Sequence, residues 1–244
     1  MTCFDPNPNL RWLFCFTHPD DEIAMAGWLR VLAEAGAEVH AAWTHSNPVR
    51  EAEARDAMRH LGISGDRLTF LGATDQHIVD EIPQLLPRFR ELGLAVRPDR
   101  VVCGAFEQGH IDHDATNFIV NKSMNSAVIL EFPLYHPYSR RLMTVNRFAS
   151  AIGQEILPLS RAQQKQKTFI AKRYPSQRIW QILWWYEALG YLTLQPKRLF
   201  ADERLRVQTH FDYHRPNLPP KTAEEVQRTS TWHRWLAAIQ KLDL

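Results

Sequence analysis

The 244-residue sequence predicts an α/β fold: a Rossmann-like, mainly parallel sheet with helices on both faces and a C-terminal cap or extension. Three observations predict it. Strand-like and helix-like segments alternate through the first half, the pattern of parallel strands joined by helical crossovers. The alternation stops after Pro133, where a loop containing proline, tyrosine and histidine replaces it. The two densest His/Asp clusters each follow a strand-like run, and open parallel sheets place ligand sites at the carboxyl ends of their strands. On this reading 1–244 is a single domain, with an α/β core in 1–133 and the cap in 134–244.

The first strand is the apolar run Trp12-Leu13-Phe14-Cys15-Phe16-Thr17. Glu22 to Gly36 follows as a helix, with Ile23, Ala26, Leu29, Leu32 and Ala33 on one stripe and Gly36 as its stop. Glu38 to Trp43 alternates as a second strand, Thr44 to Pro48 is a polar loop, and a helix runs from Val49 to Leu61 before Gly62. Leu68 to Leu71 reads as a short third strand. Ile78 to Leu92, interrupted by Pro83 and Pro87, reads as irregular helix. Arg100 to Cys103 is the fourth strand, His113 to Ser123 a helix and Ala127 to Phe132 the fifth strand. In the cap, an antiparallel strand is expected at Arg141 to Phe148 and helices at Ser160 to Lys172 and Gln177 to Tyr191. A proline-rich stretch, Pro216 to Pro220, precedes a final helix from Thr222 to Leu242, whose apolar contacts are Val226, Trp232, Trp235, Leu236 and Ile239.

Apolar residues make up 45% of the chain and charged residues 23%, the balance of a globular protein with a sizeable core. A net charge of only +2 argues against a nucleic-acid binder. Cys3, Cys15 and Cys103 are odd in number and lack metal or redox spacing, which fits a reducing, cytoplasmic setting. No signal peptide is expected, because the N-terminus lacks a basic region ahead of a long apolar run. No transmembrane segment is expected either: the most apolar stretch, Ile179 to Leu194, is shorter than the roughly 20 residues a bilayer needs and contains Gln181 and Glu187. Trp180, Trp184, Trp185 and Tyr186 fall at helical spacing, so packing is their plain reading. A sugar-stacking or lipid-facing wall is the sharper one. With the nearby basic stretch from Arg161 to Arg178, that wall would allow peripheral lipid contact. The sequence sets no oligomeric state.

His18-Pro19-Asp20-Asp21-Glu22 crowds an imidazole and three carboxylates into one turn behind the first strand. Such a cluster repels itself and resists burial unless a cation, hydrogen bonds or open solvent offset the cost. A tight turn stiffened by Pro19 would aim His18 and Asp21 at one divalent ion and leave Asp20 facing the water it binds. The second cluster, Gly109-His110-Ile111-Asp112-His113-Asp114, follows the fourth strand, and two histidines with one carboxylate form a familiar catalytic zinc set. Iron or cobalt also suits such donors. The bland alternative is a solvated acidic turn and an unrelated helix cap. The scattered His45, His77, His136, His210 and His214 read as structural or surface residues.

His18-Pro19-Asp20-Asp21-Glu22 with His110-Ile111-Asp112-His113 resembles the PIG-L/LmbE-like zinc-dependent de-N-acetylases of N-acetylglucosamine conjugates. Arg50, Glu53, Ala57 and Leu61-Gly62, and later Tyr174-Pro175-Ser176-Gln177, extend the resemblance. It implies that His18, Asp21 and His113 ligate Zn2+, that Asp20 is the general base, and that His110, supported by Asp112, stabilises the oxyanion. Glu22 would orient a ligand or favour the following helix N-terminus. Two departures stand out. Ile111 replaces a usual proline, which changes turn stiffness, and Thr44-His45-Ser46-Asn47-Pro48 replaces a more glycine-rich loop beside the crevice. Asn47 and Arg50 there are the candidate substrate contacts, Arg50 having Glu53 as an alternative partner. The expected function is removal of acetyl from a small amino-sugar conjugate. A non-catalytic carbohydrate- or glycolipid-binding protein, or a deacylase of a different acyl amide, is the alternative.

Overall fold

The computed structural model describes residues 2–124, 127–136, 144–192 and 199–242. The chain runs β1 (Arg11–Phe16), α1 (Ala26–Glu34), β2 (Glu38–His45), α2 (Pro48–Leu61), β3 (Leu68–Ala73), α3 (Ile82–Val96), β4 (Arg100–Gly104), α4 (Ile111–Ser123) and β5 (Val128–Phe132). It continues through β6 (Tyr135–His136), β7 (Thr144–Val145), β8 (Glu155–Pro158), α5 (Arg161–Ala171), α6 (Ile179–Leu192), β9 (Asp202–Val207), α7 (Pro220–Gln227) and α8 (Ser230–Gln240). The main sheet has the order β3-β2-β1-β4-β5-β9-β8. The pairs from β3 to β5 are parallel, while β9 and β8 join antiparallel.

Strand β1 shows why the sheet is buried on both faces. Its side chains alternate with period two: Trp12, Phe14 and Phe16 join the apolar cluster under α1, α2 and α5, while Leu13 and Cys15 join the cluster under α3, α4 and α8. Trp12, Phe14 and Phe16 lie along one face with successive ring separations of 6.1 and 5.8 Å. After β1 the chain turns to β2 on one side and later to β4 on the other, so the β1/β4 boundary is where the strand order reverses. Crevices form at such reversals.

The helix ends follow local chemistry. Asn47 caps α2 by accepting from the backbone N–H of Val49 and Arg50, and Gly62 closes it at φ 87°. Pro83 sits in the first turn of α3, where its missing N–H costs nothing, and the helix continues through Pro87. The expected C-terminal helix is instead two helices, because Thr229 Oγ1 accepts from Trp232 N and starts α8 afresh. Of the strand expected at 141–148, residues 141–143 lie outside the described residues, and only Thr144–Val145 pair, with Tyr135–His136.

The later half of the chain is tied into the core by buried charge. Glu203 of β9 is fully buried and accepts from Gly27 N and Trp28 N at 2.8 Å each, so it caps α1, whose own N-cap residue, Met25, offers no side-chain acceptor. Lys167 Nζ pairs with the same carboxylate at 2.8 Å and donates to Ala24 O at 2.9 Å. Ser176 donates from N and Oγ to Glu53 of α2, which joins two of the stretches that carried the family resemblance. Among the described residues no helix is long and apolar enough to cross a membrane.

Candidate metal centre and active-site pocket

The turn after β1 is held in an unusual conformation. Asp20 has φ 120° and ψ −20°, outside the region L-residues favour, at a typical cost of about 1–3 kcal/mol. Its N–H donates to Glu22 Oε2 at 2.9 Å, and the same oxygen accepts from Trp43 Nε1 at 3.3 Å. Glu22 is fully buried and thus braces the turn from below; burial pushes its carboxyl up to about 8. Asp21 Oδ2 accepts from the N–H of Thr17 and His18 at 3.1 and 2.8 Å. Those two bonds fix the carboxylate and leave Oδ1 facing His113 Nε2 at 3.6 Å.

The partner cluster comes from the end of β4. Gly109 is required there because a Cβ would stand 2.1 Å from the carbonyl oxygen of Tyr135. His110 then caps α4, its Nδ1 accepting from Asp112 N at 3.2 Å, and His113 in the first turn is buried beside β1. His18 Nδ1 and His113 Nε2 stand 3.3 Å apart, and His18 Nδ1 is 3.9 Å from Asp21 Oδ2. Ligands about 2.1 Å from a zinc ion stand about 3.4 Å apart along a tetrahedral edge, so the donor atoms fit one small cation. A second set, His18, Asp75 and Asp112, shares an imidazole with the first but draws on Asp75, whose side chain is 46% exposed. The set whose members are all buried, with two imidazoles and one carboxylate, is the better zinc donor set.

The electrostatics are those of a cation site. Burial opposes charge on His18, yet the carboxylates of Asp112, Asp75, Asp21 and Asp20 overcome it and push His18 up to about 10. His113 moves the other way, to about 3, because burial dominates over the Asp21 charge. Asp20 rises to about 7 through burial and the Asp21 charge, against the pull of Arg50. The Asp75 carboxyl is held well below its ordinary value by its hydrogen bond to His18, against burial.

The structure brings His18, Asp20, Asp21, Arg50, His110 and His113 to one cavity of about 330 Å³. Arg50 is buried and directed at Asp20 Oδ2, 3.1 Å away, and at Pro19 O, so it clamps the turn instead of pairing with Glu53. Asn47 caps α2 and does not line the cavity. The Asp112 charge favours a proton on His110, against burial, but its carboxylate bonds elsewhere. The Asp112 N–H donates to His110 Nδ1, while the side chain accepts from Gln76 N at 2.6 Å, with Oδ2 3.8 Å from His18 Nε2. Asp112 Oδ1 is buried without a hydrogen-bond partner. Burial keeps His110 below its ordinary value, and with Nδ1 accepting, the neutral ring carries its proton on Nε2.

Sequence reasoning missed Asp75, Gln76 and Tyr135. Asp75 Oδ1 meets His18 Nε2 at 3.0 Å, and Gln76 holds φ 63° in the turn after β3. The Tyr135 ring lies 5.3 Å from that of His113. The available signal was positional: Ala73-Thr74-Asp75-Gln76 follows a strand at the same sheet end as both histidine clusters. His45 is structural, its Nδ1 2.7 Å from Ala73 O.

Fold and site together define an α/β protein with a histidine–carboxylate centre at the switch point of its sheet. Residues 13–124, which contain both clusters, match the PIG-L family model, described as GlcNAc-PI de-N-acetylase. No curated protein sequence is a significant match. Among solved structures, the chain is similar to a triple mutant of a deacetylase of the teicoplanin biosynthetic pathway, with 17% identity, 83% of this chain and 99% of that chain covered, and a TM-score of 0.60. The zinc-inhibited form of the teicoplanin deacetylase Orf2 covers 83% of this chain and 99% of its own at 15% identity and a TM-score of 0.58. An N,N'-diacetylchitobiose deacetylase from Pyrococcus horikoshii covers 82% of this chain and 84% of its own at 16% identity and a TM-score of 0.51. At these identities the likeness establishes the fold.

Proposed function

We propose that the protein is a metal-dependent hydrolase that removes an acetyl group from an N-acetylated amino-sugar conjugate. The observation that carries this reading is the convergence of His18 Nδ1, His113 Nε2 and the Asp21 carboxylate with Asp20 alongside, in a turn strained at Asp20 itself. His18, Asp21 and His113 would hold a divalent ion, zinc by donor type; when bound, such an ion lowers the pKa of water and polarises a carbonyl. The carboxylates that favour a proton on His18 favour that cation equally, and binding would release the proton.

Asp20 is the general base. Its pKa, raised to about 7, sits near the working range, where a carboxylate both accepts a proton from water and returns it to the departing amine. Arg50 fixes the orientation of that carboxylate through Oδ2. His110 donates from Nε2–H to the carbonyl oxygen as it gains charge, as a neutral donor. Asp112 holds Gln76 and places negative charge beside His18, which makes it a positioning residue. We also propose that 1–244 acts as one unit, a core in 1–133 with a cap in 134–244; support comes from the shared sheet and from Glu203, which caps a core helix.

The test is acetate release from simple N-acetylglucosamine glycosides by zinc-loaded protein. Loss of a general base typically costs about 100- to 10,000-fold, so Asp20→Asn is expected to keep its metal and lose activity on that scale. A carbohydrate-binding protein without catalysis would bind the same glycosides and release nothing.

A further inference from the structure

The cavity has two unlike sides, and the sheet order separates them. The turn after β3 brings Asp75 and Gln76, while the segment after β5 brings Leu134 and Tyr135, with the β1 and β4 turns between. On the β3 side the groups are polar. Leu134 after β5 joins an apolar lining made with Ile23, Ile179, Leu183, Leu199 and Phe200. Tyr135, Lys167 and Asn146 also line the cavity, but the nitrogens of the last two are committed inside the protein. Lys167 Nζ is taken by Glu203 and Ala24 O, and Asn146 Nδ2 donates to Asp202 O at 2.9 Å. Sugar hydroxyls laid on this wall would lose hydration with little to replace it, a net cost.

The apolar character does not end at the rim. Helix α6 supplies Ile179 and Leu183 from adjacent turns of one face, and its other faces expose Ile182, Trp184 at 49% and Trp185 at 66%. A chain leaving the cavity along α6 would therefore meet more apolar surface.

Building on the hydrolase reading above, we propose that the substrate carries an apolar substituent next to the scissile amide, seated on Leu134, Leu183 and Phe200, while the sugar faces Asp75 and Gln76. The same chemistry has two sources: an N-acyl chain longer than acetyl, or an apolar aglycone. Each methylene buried on such a wall is worth about a three- to fourfold gain.

The experiment uses the zinc-loaded full chain and two substrate series. One varies the N-acyl group of methyl glucosaminide from acetyl to octanoyl, and the other keeps N-acetyl and varies the glycoside from methyl to octyl. In one series kcat/KM is expected to rise about threefold per methylene and at least about 30-fold overall. The series that rises identifies the source. In Leu183→Gln, or in Phe200→Gln should the first not fold, the long-to-short ratio is expected to fall toward one. Flat kcat/KM in both series with ongoing hydrolysis overturns the apolar subsite and leaves the hydrolase reading standing. If neither series is hydrolysed, calorimetric binding of the same compounds decides separately: affinity that climbs with chain length retains the subsite and sinks the catalytic reading, and chain-independent affinity overturns the subsite.

Discussion

Replacing Glu203 by glutamine is the sharpest test of how the later half of the chain holds the core. The carboxylate serves three donors, Gly27 N, Trp28 N and Lys167 Nζ, all at 2.8 Å, and is itself fully buried. In Glu203→Gln one amide oxygen remains to accept, its NH2 group opposes at least one donor, and Lys167, with 3% of its side chain exposed, keeps only Ala24 O. Breaking a buried pair from one side costs about 3–5 kcal/mol, a large share of a typical total of about 5–15. With a urea m-value of about 2–3 kcal/mol/M, the midpoint falls by about 1.5 M at unchanged m. The double variant Glu203→Gln/Lys167→Met removes the stranded ammonium and recovers part of the loss, leaving about 1–2 kcal/mol for the weakened cap on α1. A midpoint shift worth less than about 1 kcal/mol, or a double variant no more stable than the single, refutes the reasoning.

Gly109→Ala forces a Cβ against Tyr135 O, so a backbone shift of His110 is expected, with about 1–3 kcal/mol lost in denaturation and at least a tenfold drop in kcat/KM; a variant of normal stability and activity shows that the close approach is not needed. Glu107 predicts a pH dependence. Burial raises it to about 8 against the attraction of Arg206, above its ordinary 4.5, so between those values the folded state keeps a proton that the unfolded state releases. Its contribution to stability is complete below about 4.5 and is lost as pH rises through about 8, at up to about 1.4 kcal/mol per unit. Urea titrations from pH 5 to 8 should find this slope in the wild type relative to Glu107→Gln, and parallel curves contradict it.

Much of the site was legible because its chemistry is local. His18 to Glu22 and His110 to His113 announce themselves by residue type, and β1 and β4 deliver them to adjacent strand ends. The roles inside each cluster were less legible, since they depend on which atom a backbone N–H occupies. Asp112 stands two residues from His110, yet its N–H donates to His110 Nδ1 while its carboxylate meets Gln76 N and lies near His18. Arg50 reads as a candidate substrate contact with Glu53 as its alternative partner, and only the fold brings it to Asp20. Asp75 has no local signature, since a lone aspartate after a short strand is an ordinary turn residue.

The core elements were readable for a similar reason: the continuous apolar run of β1, buried on both faces, and the helical stripe of α1 are apolar patterns. Strand β9 escaped because its buried positions include charge. Glu203, Arg204 and Arg206 are all buried, and Arg206 does so by pairing with Glu131 at 2.7 Å and Glu107 at 3.4 Å. Hydrophobic periodicity cannot register burial achieved by ion pairing. Lys167, within the basic stretch from Arg161 to Arg178, is buried in the same way by its pair with Glu203. The tryptophans of α6 fail in the opposite sense: their helical spacing suggested packing, whereas Trp184 and Trp185 are exposed.

On the proposed function, one turn divides its work between holding a metal and moving a proton. Measuring bound zinc and acetate release together on wild type, Asp20→Asn and His113→Ala tests it most directly. Wild type is expected to bind one zinc and hydrolyse, Asp20→Asn to bind one zinc with at least about 100-fold less activity, and His113→Ala to lose both. Full activity in a metal-free Asp20→Asn protein would contradict it.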